Sequence, residues 1–222
     1  MKTKMKKSLL FLSAAAFLAA CGGGAPEETV ETTDAQAVQE VVEAATVPAM
    51  ASSSTINWVG FNTYADGRHN GTVAIKNGEF QIKGDELVGG SFTIDMNTIA
   101  CADLTDADSN GKLVGHLKSD DFFAVETNPE AKFEIVSITA NDPAASPASH
   151  TVTGNLTLRG VTKAITVPAN IKVSNGHVQV TTPEFAIDRK QWNVMYGSTG
   201  IEGVAKDKLI DDNILLSLDI NG

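Results

Sequence analysis

The chain has 222 residues, with 17 Lys and Arg against 27 Asp and Glu, a net charge of −10 and an isoelectric point near 4.8. An acidic surface argues against nucleic-acid binding and against electrostatic adhesion to anionic lipid, since both partners are themselves polyanions. Setting residues 1–54 aside as unsuited to a core leaves about 170, the size of one domain.

Residues 1–20 read as a signal peptide. Lys2, Lys4, Lys6 and Lys7 form a basic start, and Leu9 to Leu18 an apolar run shorter than the roughly 20 residues a bilayer span needs. Leu18-Ala19-Ala20 then supplies a cleavage site directly before Cys21. Leu-Ala-Ala-Cys looks like the lipobox of bacterial lipoproteins, in which the cysteine becomes the acylated N-terminus. Cys21 is therefore expected to be lipidated, and the protein exported and held in the cell envelope, on the periplasmic or the outer-membrane and cell-surface side. Loss of the four lysines takes the net charge from −10 to about −14. Cys101, the only other cysteine, is then left without an intramolecular partner, so no disulfide is expected. No basic residue adjoins it in the sequence to activate its thiol, which reads as structural.

Residues 21–54 read as a lipidated N-terminus followed by a disordered acidic linker. From Gly22 to Ser54 there is no Lys, Arg or aromatic residue, and the Ala, Glu, Thr and Ser mixture has too little apolar surface to order itself. As a coil it would span on the order of 30 Å.

Residues 55–222 carry the folded domain. Apolar residues alternate with polar ones in Ile56, Trp58 and Gly60; in Val73 and Ile75; in Phe80 and Ile82; and in Phe92, Ile94 and Met96. Phe133 and Ile135 continue the period, as do Val152, Gly154, Leu156 and Leu158, and then Ile165 through Val173. Val178 and Val180, Phe185 and Ile187, and Ile214 through Ile220 complete it. Turn signals fall at Asp66-Gly67, Asn77-Gly78, Gly89-Gly90 and Asn175-Gly176. One short amphipathic helix is predicted at about 112–119, where Leu113, Val114 and Leu117 share a face. About eight strands with one apolar face each form either a closed antiparallel barrel or a two-sheet sandwich, and periodicity favours neither.

Between Lys112 and Phe133 several unlike signals crowd together. The helix ends in His116-Leu117, and Ser119-Asp120-Asp121-Phe122-Phe123-Ala124-Val125 follows, then Pro129 and a strand start at Lys132-Phe133. With Gly154-Asn155-Leu156-Thr157-Leu158-Arg159-Gly160-Val161-Thr162-Lys163 and Phe185-Ala186-Ile187-Asp188-Arg189, this pattern resembles the YceI-like, lipocalin-shaped lipid-binding domains. The likeness runs from Thr55 to the C-terminus and departs at Val114-Gly115, where many members carry Arg-Asp.

The resemblance implies an all-β fold, an antiparallel eight-stranded up-and-down barrel of lipocalin type with the one short helix. It also implies a polyisoprenoid or related lipid as guest. The residues expected against such a guest are Trp58, Phe80, Phe92, Ile94, Met96, Phe122, Phe123, Phe133, Ile135, Leu156, Leu158, Phe185 and Ile187. Arg189 and Trp192 are expected at the mouth, Arg189 either paired with Asp188 or another acid or facing an anionic head, and His116 beside the paired phenylalanines either bonds the polar head of a guest or fixes the helix to the barrel rim. The function so implied is a carrier, store or scavenger, with the apolar molecule and the membrane as partners, dimerisation left open, and no cofactor beyond the guest. A ligand-free structural or protein-interaction module is the alternative.

Other chemistry finds little support in the residues. Asp106, Asp108, Asn110 and Gly111 match the opening of a calcium-binding loop, but the position that needs a bidentate Glu holds Leu117. His69, His116, His150 and His177 are spread one per segment, and no metal site is expected. No nucleophile elbow or phosphate-binding glycine loop is present, and no enzymatic activity is expected.

Overall fold

The computed structural model describes residues 29–63, 67–199 and 209–222. The period-two segments form long strands: β3 (Thr55–Phe61), β4 (Arg68–Lys83), β5 (Glu86–Cys101), β6 (Glu130–Ala140), β7 (His150–Leu158), β8 (Val161–Ser174), β9 (His177–Thr181), β10 (Phe185–Asp188) and β11 (Asn213–Asn221). Each strand from β3 to β9 pairs antiparallel with the next; β9 pairs with β11, and β11 returns to β3. The result is a closed barrel of eight strands. The sandwich is thereby excluded.

The hairpins follow local backbone chemistry. Asn175 and Gly176, at φ 52° and 76°, make the tight turn between β8 and β9, as their sequence predicts. Arg159 and Gly160, at φ 49° and 73°, make the matching turn between β7 and β8. Asn77-Gly78 and Gly89-Gly90 differ from expectation: both lie inside strands, and β4 turns into β5 at Gly84-Asp85 instead. Their glycines serve close approach. A Cβ on Gly78 would lie 2.5 Å from the Phe92 ring, and one on Gly90 would lie 2.8 Å from Glu79 O, beside a register shift between Ile75 and Asn77.

The acidic linker is corrected over its described part. Residues Thr32–Asp34 form β1, which pairs with Lys163 to Ile165 of β8, and Ala45–Pro48 form β2, which pairs with Glu79 to Ile82 of β4. The reason lies in the barrel. β8 and β11 are bridged by β9 over only part of their length, and further along they splay, leaving backbone groups unpaired. The N-terminal segment fills that seam: Val30 N donates to Ala186 O at 2.8 Å, and Thr166 N donates to Glu31 O at 3.2 Å. Val30 is buried. Asn155, itself buried, clamps the segment by accepting from Gln36 N at 2.9 Å and donating to Gln36 O at 2.7 Å. We expect Asn155→Ala to lose about 1–3 kcal/mol, because it removes both hydrogen bonds that hold the Gln36 backbone, at about 0.5–1.5 kcal/mol each. Chemical denaturation measures the loss, and faster amide exchange confined to residues 30–36 locates it.

α1 spans Ala107–Lys118, five residues earlier than predicted at its start. Asp106 is its N-cap, accepting from Ser109 N at 2.9 Å, and Asn110 Nδ2 donates to Cys101 O and Leu104 O. The calcium-like sequence is thus a helix start. The helix packs against β5 at one end of the barrel, with Leu113 and Leu117 facing the interior.

Candidate ligand-binding cavity

The inward faces do not fill the barrel. They enclose a cavity of about 440 Å³, within the roughly 300–1,000 Å³ typical of small-molecule sites. At the far end Phe80, only 1% exposed, packs edge-on against Phe92 at 5.0 Å, and Gly222 lies against its ring. At the near end Phe61, Asn62, Gly67 and His69 stand at the β3–β4 side, and Leu113, Leu117, Phe122 and Phe123 at the other. This end is the mouth.

Of the residues expected against a guest, Trp58, Phe80, Phe92, Ile94, Met96, Phe122, Phe123, Phe133, Ile135, Leu156, Leu158, Phe185, Ile187 and Arg189 all line this cavity. Gly154 is what lets Phe133 lie flat across the wall, since a Cβ there would meet the ring at 2.2 Å. Ile56, Gly60, Val73, Val167, Ile214 and Leu216 line it too. They belong to the same alternating series, and that period was the signal for them.

Two expected residues are elsewhere. Trp192 is fully buried and donates from Nε1 to Leu156 O at 3.0 Å, so it wedges behind the wall instead of closing the mouth. His116 pairs through Nε2 with Asp121 at 3.0 Å and stands edge-on to Phe122 and Tyr196, at 4.9 and 4.6 Å. Those contacts fix the end of α1 to the paired phenylalanines and turn the ring away from the cavity. Arg159, in the β7–β8 turn, adds bonds to Asp120 O and Asn193 O.

Arg189 touches the cavity but is committed to the protein. It is 1% exposed; Nε donates to Asp211 O, Nη1 to Val194 O, and Nη2 to Ile210 O and Asp212 Oδ1. Burial lowers its pKa from the ordinary value, opposed by the charges of Asp212, Asp188 and Asp211. Asp212 also takes Lys190 at 2.9 Å and Thr199 at 2.8 Å. Burial pushes the Asp212 carboxyl up, and hydrogen bonds from Lys190, Ser198 and Thr199 outweigh it, leaving the carboxyl below its usual range. The guanidinium therefore staples the β11 approach to the turn after β10, and it is not a free anion receptor.

Two polar atoms at the wall stand out. Among the described residues, Trp58 Nε1 and Asn62 Oδ1 are buried side-chain atoms without a hydrogen-bond partner. Such groups are uncommon in folded proteins. Both residues belong to the lining of a mostly apolar cavity, and the two atoms themselves are covered by the protein.

The histidines are not all isolated. His69 Nδ1 lies 2.8 Å from Asp103 Oδ2, and Cys101 Sγ lies 3.3 Å from Asp103 Oδ1. Burial pushes the Asp103 carboxyl up, but bonds from Asn70 N, His69 and Cys101 overcome it and lower it to about 2. Spacing along the chain carries no hint of this grouping, which depends on the register of β4 against β5.

A family model for the YceI-like domain matches residues 46–222. The chain belongs to the YceI-like family. The match begins inside the segment expected to be linker, in agreement with the pairing of β2. Among curated relatives, a UPF0312 protein of Pseudomonas aeruginosa (strain LESB58) is 46% identical over 56 residues, 25% of this chain and 27% of that protein. One of Serratia proteamaculans is 43% identical over the same length. The match thus spans about a quarter of these relatives. Among solved structures, Burkholderia cenocepacia BcnA aligns with a TM-score of 0.55 at 21% identity, covering 78% of this chain and 99% of that one. A polyisoprenoid binding domain from Saccharophagus degradans, described as implicated in plant cell wall breakdown, aligns with a TM-score of 0.53 at 17% identity, covering 81% and 98%. These YceI-like likenesses show the fold.

Proposed function

We propose that this YceI-like protein is a lipid-anchored protein of the bacterial cell envelope whose barrel carries, stores or scavenges a long apolar molecule, a polyisoprenoid or a related lipid. The hollow apolar interior carries the reading. Each methylene moved from water contributes about 0.8 kcal/mol, so a chain of roughly fifteen carbons gains about 12 kcal/mol before the cost of immobilising it. Tight holding therefore needs few polar contacts. The name of the Saccharophagus degradans structure, a polyisoprenoid binding domain, supports the choice of guest. No step of bond making is assigned to the barrel: its buried cation is bonded to carbonyls and Asp212, and its walls are mostly hydrocarbon.

The anchor is read from the residues before and at Cys21, which lie outside the described part of the chain. Because Val30 is held in the seam of the barrel, the tether from Cys21 to Thr29 reaches at most about 28 Å, eight Cα-to-Cα steps of roughly 3.5 Å each. The domain then rides close to the bilayer, beside the lipid it would exchange.

Transfer between membranes tests the carrier reading. Donor vesicles containing a fluorescent polyprenol are mixed with the purified chain and unlabelled acceptors. Transfer that scales with protein concentration is expected, and a rate equal to the protein-free control contradicts it. Cys21→Ala should leave the protein in the soluble fraction and without acyl mass.

A further inference from the structure

We propose that His69, Cys101 and Asp103 form a binding site for one divalent metal ion of the zinc class at the mouth of the barrel. The fold, not the sequence, makes the cluster. Gly71 of β4 stands opposite Cys101 of β5, His69 lies two residues before that pair, and Asp103 lies two residues beyond it. One donor atom from each, His69 Nδ1, Cys101 Sγ and an Asp103 carboxylate oxygen, falls within 4.8 Å of the other two. A tetrahedral zinc ion, with bonds of about 2.0–2.3 Å, sets donor-to-donor edges of roughly 3.3–3.7 Å. Moving these side chains by about an ångström brings all three onto one centre.

The donor set decides the ion. One sulfur, one imidazole nitrogen and one carboxylate suit a borderline-soft metal, whereas calcium and magnesium require oxygen throughout. Thiolate and carboxylate together carry the two negative charges that neutralise the ion. Binding releases the Cys101 thiol proton to solvent and moves the imidazole proton from Nδ1 to Nε2, which leaves Nδ1 free to coordinate. Support around the donors is already in place: Asn70 N donates to Asp103 Oδ1 at 2.8 Å, and Ala102 N donates to Asn70 O at 2.8 Å. Such outer bonds orient metal ligands. His69 also forms part of the cavity wall, so the fourth position opens towards the mouth and takes water or an oxygen atom brought there.

Cobalt(II) and zinc(II) titrations of the chelator-treated full chain test the site. One equivalent of cobalt should bind with a thiolate-to-metal charge-transfer band, and zinc should displace it. Cys101→Ser should abolish the band, and Cys21→Ala, at the other cysteine, should retain it. His69→Ala and Asp103→Asn should weaken zinc by more than the about 10–100-fold seen for outer-sphere changes. Zinc should also raise the unfolding midpoint of the unaltered chain, a readout independent of whether any variant folds. Absence of stoichiometric binding by the unaltered chain, or a band that survives Cys101→Ser, would overturn the proposal and leave a carboxylate held by hydrogen bonds alone.

Discussion

Arg189→Ala should lower the unfolding midpoint by about 6–20 °C. The substitution leaves the carbonyls of Asp211, Val194 and Ile210 without the donors they now share, and it strips the buried Asp212 of one of its two cationic partners. Removing one partner of a buried charge pair costs about 3–5 kcal/mol, and each kcal/mol shifts the midpoint by about 2–4 °C in a domain of this size. Arg189→Lys should recover only part of this, because an ammonium cannot present a fork to four oxygens at once. Acid acts on the same staple. The folded-state pKa of Asp212 lies below its ordinary value, so its contribution is complete above the usual carboxylate range and fades as the pH falls through the lowered folded pKa. Thermal melts of the parent and both variants, recorded from neutral pH downward, measure all three effects. A parent-like midpoint for Arg189→Ala would contradict the structural assignment of this residue.

Gly60→Trp should close the cavity without harming the barrel. Nothing lies within 4 Å of a Cβ built on Gly60, which sits in β3 opposite His69 and lines the cavity near its mouth. Gly71 is the contrast, since a Cβ there would lie 1.8 Å from Ala100 O. An indole at position 60 takes space that a guest would use. Displacing four or five methylenes costs about 3–4 kcal/mol, a loss of affinity of at least a hundredfold. Strand propensity changes in favour of the variant, so its midpoint should stay near or above that of the parent. Equilibrium binding of a fluorescent isoprenoid, read beside a thermal melt, separates the two quantities. Unchanged affinity would mean that the guest, if any, sits elsewhere.

The choice of a barrel over a sandwich came from the family resemblance, whereas the strands and their inward faces were legible because they follow a period-two code repeated from Ile56 to Ile220. The cavity lining came with it, from Trp58 through Ile187. What the period does not carry was misplaced. Asn77-Gly78 and Gly89-Gly90 have the composition of turns, but their missing Cβ atoms serve the passage of Phe92 and the Glu79 carbonyl across a bulged pair of strands. Residues 29–54 look unstructured by composition, a measure of side-chain burial, whereas what orders them is the backbone of an incompletely paired seam. Trp192 and His116 sit in the right neighbourhood and face the wrong way, because partners distant in sequence, Leu156 O and Tyr196, set their orientation. His69, Cys101 and Asp103 are met only when β4 and β5 are laid side by side.

An apolar guest in the cavity is what a carrier requires. Organic extraction of the chain purified from its own host, followed by mass spectrometry and paired with native mass spectrometry of the intact protein, tests it most directly. One apolar molecule per barrel is expected, released on denaturation and missing from Gly60→Trp prepared in parallel. An extract that contains no stoichiometric lipid, with a native mass equal to that of the acylated polypeptide alone, would contradict it.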